Sequence, residues 1–258
     1  MDTFKLGRAT INICKDASDV ARRLAERFLE LARQAAAGNG RFTVALSGGS
    51  TPRALYSLLA TPDWRDAVPW HQIHLFWGDE RCVAHDSTES NFKMVNDTLI
   101  LKVPIPQANV HATSGQDRDP AGAALRYEEE IKRFFNLEAG QFPCFDLILL
   151  GMGPDGHTAS LFPGSQGLQE NKRIVVANFV DKFNTYRITL TLPAINQAQN
   201  VIFMVAGGDK SRMLSTVLQS PQVVLPAQMI APAAGTLAWF VDEAAAAELN
   251  RQSLVPVT

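Results

Sequence analysis

In the stretch Asp146-Leu-Ile-Leu-Leu-Gly-Met-Gly-Pro-Asp-Gly-His-Thr-Ala-Ser-Leu-Phe-Pro-Gly-Ser165, an apolar run that begins at Phe145 ends at Leu150. That is the length of a buried strand. It empties into a turn in which Gly151, Gly153 and Gly156 leave room for close backbone approach, and Asp155 and His157 stand two residues apart. Any helix that follows lasts a turn or two, because Pro163-Gly164 breaks it. A carboxylate and an imidazole at the mouth of a buried strand read as acid–base chemistry in a cleft.

The same stretch contains Gly151-x-Gly153-x-x-Gly156, and Asp181 ends the next apolar run, Ile174 to Val180. A dinucleotide fingerprint needs a long helix after its last glycine, to set a dipole against the pyrophosphate and to cross back to the sheet. Pro163 forbids that helix, and Pro154 and Asp155 occupy positions that normally pack. The pattern therefore reads against nicotinamide or flavin binding. A nucleophile elbow is absent too, since the nearest candidate, Pro163-Gly-Ser165-Gln-Gly167, has proline in place of its first glycine.

Working outward, Val20, Leu24, Phe28, Leu31 and Ala35 recur at helical spacing after Ser18, and Gly38-Asn-Gly40 closes that helix. Phe42 to Leu46 reads as a strand. A second helix is expected over Arg53 to Leu59, with Pro52 at its first position and Ser50 or Thr51 as cap. Ile73 to Trp77 is the next strand, and Asp119 to Phe135 a helix turning Leu125, Ile131 and Phe134 inward. Arg187 to Leu192, Val201 to Ala206 and Leu237 to Val241 complete the expected strands. This alternation predicts one α/β domain over residues 1–258, a doubly wound, mainly parallel sheet with flanking helices. Ala84 to Ser90 and Lys102 to Asp119 are the expected irregular excursions.

The 258 residues are 46% hydrophobic and 19% charged, ordinary values for a globular chain that buries a sizeable core. A net charge of −2 offers no basic field for nucleic acid. The start carries no long apolar core of a signal peptide, and no run approaches the roughly 18 apolar residues of a membrane span. Cys14, Cys82 and Cys144 are odd in number and lack paired spacing, which excludes a disulfide scaffold and points to a reduced, cytosolic setting. His71, His74, His85 and His111 are scattered without metal-ligand spacing or a carboxylate companion and read as structural or exposed, so no metal is expected.

In a doubly wound sheet, ligands sit beyond the carboxyl ends of the strands. Four such ends carry polar groups here. Ser47-Gly48-Gly49-Ser50-Thr51-Pro52 combines glycines, hydroxyls and a helix start into a nest of donors for an anion, or else is a tight capped turn. It lacks the Gly-Lys-Ser/Thr of a nucleoside-triphosphate loop. Asp79-Glu80-Arg81 follows a strand directly, a setting equally open to a charged surface loop. The Asp155/His157 turn is the third. Arg187 and Lys210 are the fourth group, two separated cations of the kind a phosphate dianion takes besides backbone donors, or two solvated residues.

Ser-Gly-Gly-Ser-Thr-Pro at 47–52, Gly-Asp-Glu-Arg at 78–81 with Ser90-Asn91, and Gly-Met-Gly-x-Asp-Gly-His-Thr-Ala-Ser-Leu-Phe-Pro-Gly at 151–164 resemble the 6-phosphogluconolactonases. Arg187 before Ile-Thr-Leu and Lys210 after Gly-Gly-Asp extend the resemblance over nearly the whole chain. It implies the fold shared with ribose-5-phosphate isomerase and coenzyme A transferases. It also implies cofactor-free hydrolysis of 6-phospho-D-glucono-1,5-lactone, with His157 as acid–base and Asp155 orienting either the imidazole or the water. Ser47, Gly48, Gly49, Ser50, Thr51, Asp79, Arg81, Gly153, Arg187 and Lys210 would hold the substrate. Related glucosamine-6-phosphate deaminases share Gly-x-Asp-Gly-His but continue into Asn-Glu-Pro-Gly, where this chain has Ser160-Leu-Phe-Pro-Gly164. A deaminase or isomerase, and a non-catalytic sugar-phosphate sensor of the same fold, are the alternatives. The implied partner is the phosphosugar lactone, with no nucleic acid and no membrane, and a homo-oligomer is left open.

Overall fold

The computed structural model describes residues 1–258 apart from Asp117, Pro221, Val223 and Thr258. Its strands are β1 (Asp2–Leu6), β2 (Ala9–Cys14), β3 (Phe42–Leu46), β4 (Ile73–Trp77), β5 (Asp79–Arg81) and β6 (Val110–His111). They continue as β7 (Leu147–Leu150), β8 (Val175–Val180), β9 (Thr185–Leu190), β10 (Asn200–Val205), β11 (Thr236–Asp242) and β12 (Val255–Pro256). The helices are α1 (Ala17–Asn39), α2 (Ser50–Leu59), α3 (Pro62–Ala67), α4 (Asn91–Thr98), α5 (Pro120–Phe135), α6 (Leu192–Asn196) and α7 (Ser211–Gln219).

Nine strands form one sheet in the order β12-β1-β2-β11-β10-β7-β3-β4-β6. From β2 to β6 every pairing is parallel, and β1 and β12 add an antiparallel edge. The doubly wound reading of the chain therefore holds. Successive side chains of β7 face opposite ways: Leu147 and Leu149 join a core with α1, α2 and α4, while Ile148 and Leu150 join the one with α5, α6 and α7. A strand covered on both faces must be apolar throughout, which is why the run was legible. Chain progress reverses at the β7–β3 boundary, since β3 leads on to β4 while β7 leads through α6 to β10 on its other side.

Several expectations need correction. Arg187 to Leu192 was counted with the main strands, but β9 belongs to a separate antiparallel sheet, β5-β9-β8, and Leu192 opens α6. Gly78 joins the two sheets, donating to Leu46 O at 2.8 Å and accepting from Leu190 N at 2.8 Å. Leu125 points to solvent, 48% exposed, because α5 turns Ala123, Ala124, Tyr127 and Ile131 inward and Leu125 lies across the helix from Tyr127. The cap of α2 is Gly49, so Pro52 is its third residue and neither Ser50 nor Thr51 caps it. The expected excursion Lys102 to Asp119 includes Asp117, outside the described residues, and otherwise contains a short 3₁₀ turn and β6. The strands β1, β2, β5, β6, β8 and β12 and the helices α3, α4, α6 and α7 were not anticipated.

His111 does have a carboxylate companion. Its Nδ1 lies 2.9 Å from Glu130 of α5, and its Nε2 lies 3.1 Å from His74 Nδ1. A carboxylate on Nδ1 makes that nitrogen of His111 the donor to Glu130. Burial first, then His111 and Arg41, push His74 down to about 4. Unfolded histidine titrates near ~6.5. Between those values the unfolded chain binds a proton that the folded chain refuses, so stability falls as pH drops through that window. In His74→Phe, the loss of urea midpoint between pH 7 and pH 5 should shrink. An unchanged loss would contradict this account.

Candidate active site

Three strand ends meet at the point where the sheet order reverses. The chain leaves β3 as Ser47-Gly48-Gly49 and β7 as Gly151-Met152-Gly153, while β4 passes through Gly78 into β5. Ser47, Gly48, Gly49, Asp79, Arg81, Gly153 and His157, all expected in the site, line a single cleft of about 180 Å³ there. Asn91, Gly151, Met152 and Ala159 complete its wall. This is the crevice that open α/β sheets use for ligands.

The loop after β7 is built to present His157. Gly153 N donates to His157 O at 2.9 Å, and Gly156 N to Gly153 O at 3.1 Å. The imidazole folds so closely over Gly153 that a Cβ there would lie 2.1 Å from the ring, so only glycine fits. Asp155 Oδ1 stands 2.5 Å from His157 Nδ1, and Phe162 stacks on the ring at 4.0 Å between centroids. With a carboxylate on Nδ1, that nitrogen carries the proton and Nε2 is left as the basic one. Burial would raise the Asp155 carboxyl, but the hydrogen bond and charge of His157 outweigh it and hold Asp155 below its ordinary value. Asp155 is thus an anion hydrogen-bonded to the imidazole, while its second oxygen lies 3.4 Å from Lys182 Nζ.

The opposite end of the cleft is suited to an anion. Gly49 caps α2 at φ 110°, a backbone that glycine alone adopts readily, and among the described residues no side chain bonds to the cap. The first N–H groups of α2, at Ser50 and Thr51, lie at the positive end of its dipole. Tyr56 clamps Ser47 through both its N–H (3.2 Å) and its C=O (3.0 Å), while Ser47 Oγ is buried without a partner among the described residues. Across the β5–β9 ladder Arg81 is paired directly with Arg187, and neither forms an ion pair among the described residues. Burial, and then the like charge of Arg81, push the Arg187 guanidinium below its ordinary value. Arg81 donates to the Glu89 carbonyl and Arg187 lies over the Phe183 ring, but two adjacent guanidinium groups without a carboxylate remain costly unless a ligand anion joins them. Lys210 sits in the turn after β10, 3.3 Å from Asp209, and is not part of the cleft wall.

Alternation along β5 separates residues that looked alike in the sequence. Asp79 faces the cleft, accepting from Ser160 Oγ at 2.6 Å and from Asn91 Nδ2 at 3.4 Å. Glu80 faces the other way and is almost fully buried, accepting from Asn91 N at 2.8 Å and Phe92 N at 2.7 Å at the start of α4. Its role is to hold that helix. Asn91 had appeared only as part of the resemblance. Ala159, Ser160 and Lys182 gave no local signal of a site role, since their contacts come from distant segments. Ala159 adopts φ 48°, uncommon for a residue with a Cβ, at the cleft wall. Among the described residues no group of three or more His, Cys, Asp and Glu could hold a metal ion.

Residues 15–239 match the family model of glucosamine-6-phosphate isomerases/6-phosphogluconolactonase. The chain belongs to this family. A 6-phosphogluconolactonase of Nostoc sp. is 41% identical over 245 residues, 94% of this chain and 99% of that one. One from Synechocystis sp. is 44% identical over 219 residues, 84% of this chain and 88% of the relative. Among solved structures, 6-phosphogluconolactonase from Trypanosoma cruzi superimposes with a TM-score of 0.83 at 29% identity, covering 93% of this chain and 96% of that one. The family therefore spans isomerases as well as lactonases, and the two cyanobacterial lactonases align with this chain over 88–99% of their own length.

Proposed function

We propose that this chain hydrolyses 6-phospho-D-glucono-1,5-lactone to 6-phospho-D-gluconate, the lactone step of the oxidative pentose phosphate pathway. The observation that carries the reading is a single cleft with the Asp155–His157 pair at one end and an open helix start beside Arg81 at the other. Such a cleft matches a substrate with a carbonyl at one end and a phosphate at the other. Nε2 of His157 takes a proton from water as the water oxygen bonds to the lactone carbonyl carbon. The imidazolium then returns that proton to the ring oxygen as the carbon–oxygen bond breaks, leaving the open-chain acid. Acid–base help of this kind supplies about 10²–10⁴-fold, or roughly 3–5 kcal/mol.

Ser47, the N–H groups from Gly48 to Thr51, Arg81 and Arg187 would hold the phosphate, with Lys210 reaching in from its turn. Asp79 and Gly153 shape the wall near the reacting carbon. Phe162 stands where the deaminase-like pattern has its glutamate, which disfavours amine chemistry. Low net charge disfavours nucleic acid as a partner. Among the described residues no helix is long and apolar enough to cross a membrane. The three free thiols suit the cytoplasm.

The purified protein, dialysed exhaustively against a chelator and given no nucleotide, should hydrolyse the phosphorylated lactone far faster than buffer does. It should release no ammonia from glucosamine 6-phosphate. Loss of lactonase activity on chelation, or turnover of the amino sugar in preference to the lactone, would overturn the proposal.

A further inference from the structure

The β8–β9 hairpin reaches the acid–base pair by two routes. Its turn is a single 3₁₀ turn, Asp181–Phe183, closed by Asn184 in the left-handed region at φ 48°, a conformation asparagine tolerates better than most residues. Asn184 N donates to Asp181 O at 3.1 Å and fixes the turn. Lys182 Nζ then lies 3.4 Å from Asp155 Oδ2, the carboxylate oxygen that His157 leaves free. Phe183 packs edge-on against Phe162 at 5.9 Å, and Phe162 is the ring stacked on His157. The chain thus spends two neighbouring residues of one turn on the two supports of one imidazole.

We propose that Lys182 is a positioning residue for the acid–base pair, its ammonium holding the second oxygen of Asp155 so that the first stays on His157. The proposal rests on the reading of His157 as the catalytic base. A structural ion pair is the competing account. With side chains 55% and 29% exposed, the Lys182–Asp155 pair contributes little to stability, so its position beside the imidazole is the feature that matters. The charged groups around His157 are Asp155 from its own loop, Lys182 from the hairpin, and Asp79 and Arg81 of β5 on the same cleft wall, with Arg187 of β9 paired to Arg81 behind them. Of these, Asp155 touches the ring directly and Lys182 touches Asp155. A cation there opposes protonation of the imidazole, so its removal should make His157 a stronger base and extend its protonated range upward in pH.

The test compares Lys182→Gln and Lys182→Arg with wild type by NMR titration of carbon-13-labelled histidine without substrate. The His157 signal, one of five, is assigned by its loss in His157→Gln. In Lys182→Gln the midpoint should rise by about half a pH unit, a size set by one partly screened charge, and the difference should shrink in high salt. The acid limb of kcat/KM should move by the same amount, and Lys182→Arg should restore both. An unmoved midpoint in Lys182→Gln, or a shift that arginine fails to restore, would overturn the proposal. Because the titration needs no turnover, it is separate from the lactonase reading, which fails instead if His157→Gln keeps its activity.

Discussion

His157→Gln should cut lactone turnover by about two to four decades while leaving the fold and KM nearly unchanged, the size expected for one lost proton shuttle. Asp155 commits Nδ1, Phe162 fixes the ring plane, and Gly153 lets the imidazole lie over the loop, so Nε2 is the base available in the cleft. Glutamine can still hydrogen-bond there, yet its amide neither takes nor returns a proton at neutral pH. The loss should therefore fall on kcat. Stopped-flow measurement, corrected for the spontaneous opening of the lactone, decides the matter. Activity above about a third of wild type in a folded variant would remove His157 from the chemistry.

Arg187→Ala should lower kcat/KM on the phosphorylated lactone about tenfold or more and barely change the slow rate on unphosphorylated gluconolactone. A charged hydrogen bond is worth roughly 1.5–3 kcal/mol, and Arg187 stands beside Arg81 without a carboxylate partner among the described residues. Removing one guanidinium relieves repulsion in the empty site, so the protein should not lose stability. This sets it apart from an arginine that holds the fold. Arg81→Ala should act in the same direction. Lys210→Ala should be milder, because its ammonium is a point charge set outside the cleft wall and beside Asp209. Equal losses on both lactones would assign these cations to the carbonyl or to the scaffold and break the phosphate assignment.

What could be read in advance was what neighbouring residues decide among themselves. Phe145 to Leu150 announced a strand covered on both faces, since a doubly covered strand has no polar side. The loop after it announced its histidine through glycines that only close approach requires. The start of α2 was placed to within a few residues, although its cap was assigned to a hydroxyl where the left-handed Gly49 serves. Leu125 failed for a related reason: a helix sequence shows an apolar stripe, but packing against Trp77 and β8 decides which edge of the stripe is covered.

The sequence by itself determined the alternation of strands and helices along the core, the closeness of Asp155 to His157 and the glycine-rich turn at Ser47–Thr51, because each depends on residues near one another in the chain. Only the tertiary structure decided the rest. The register of β5 on β9 sets Arg81 beside Arg187 and turns Glu80 away from the cleft to anchor α4. The hairpin turn brings Lys182 to Asp155, and Ser160 reaches Asp79 across 81 positions of chain. Strand pairing is a long-range choice made by the whole buried surface at once, so no local run of residues encodes it.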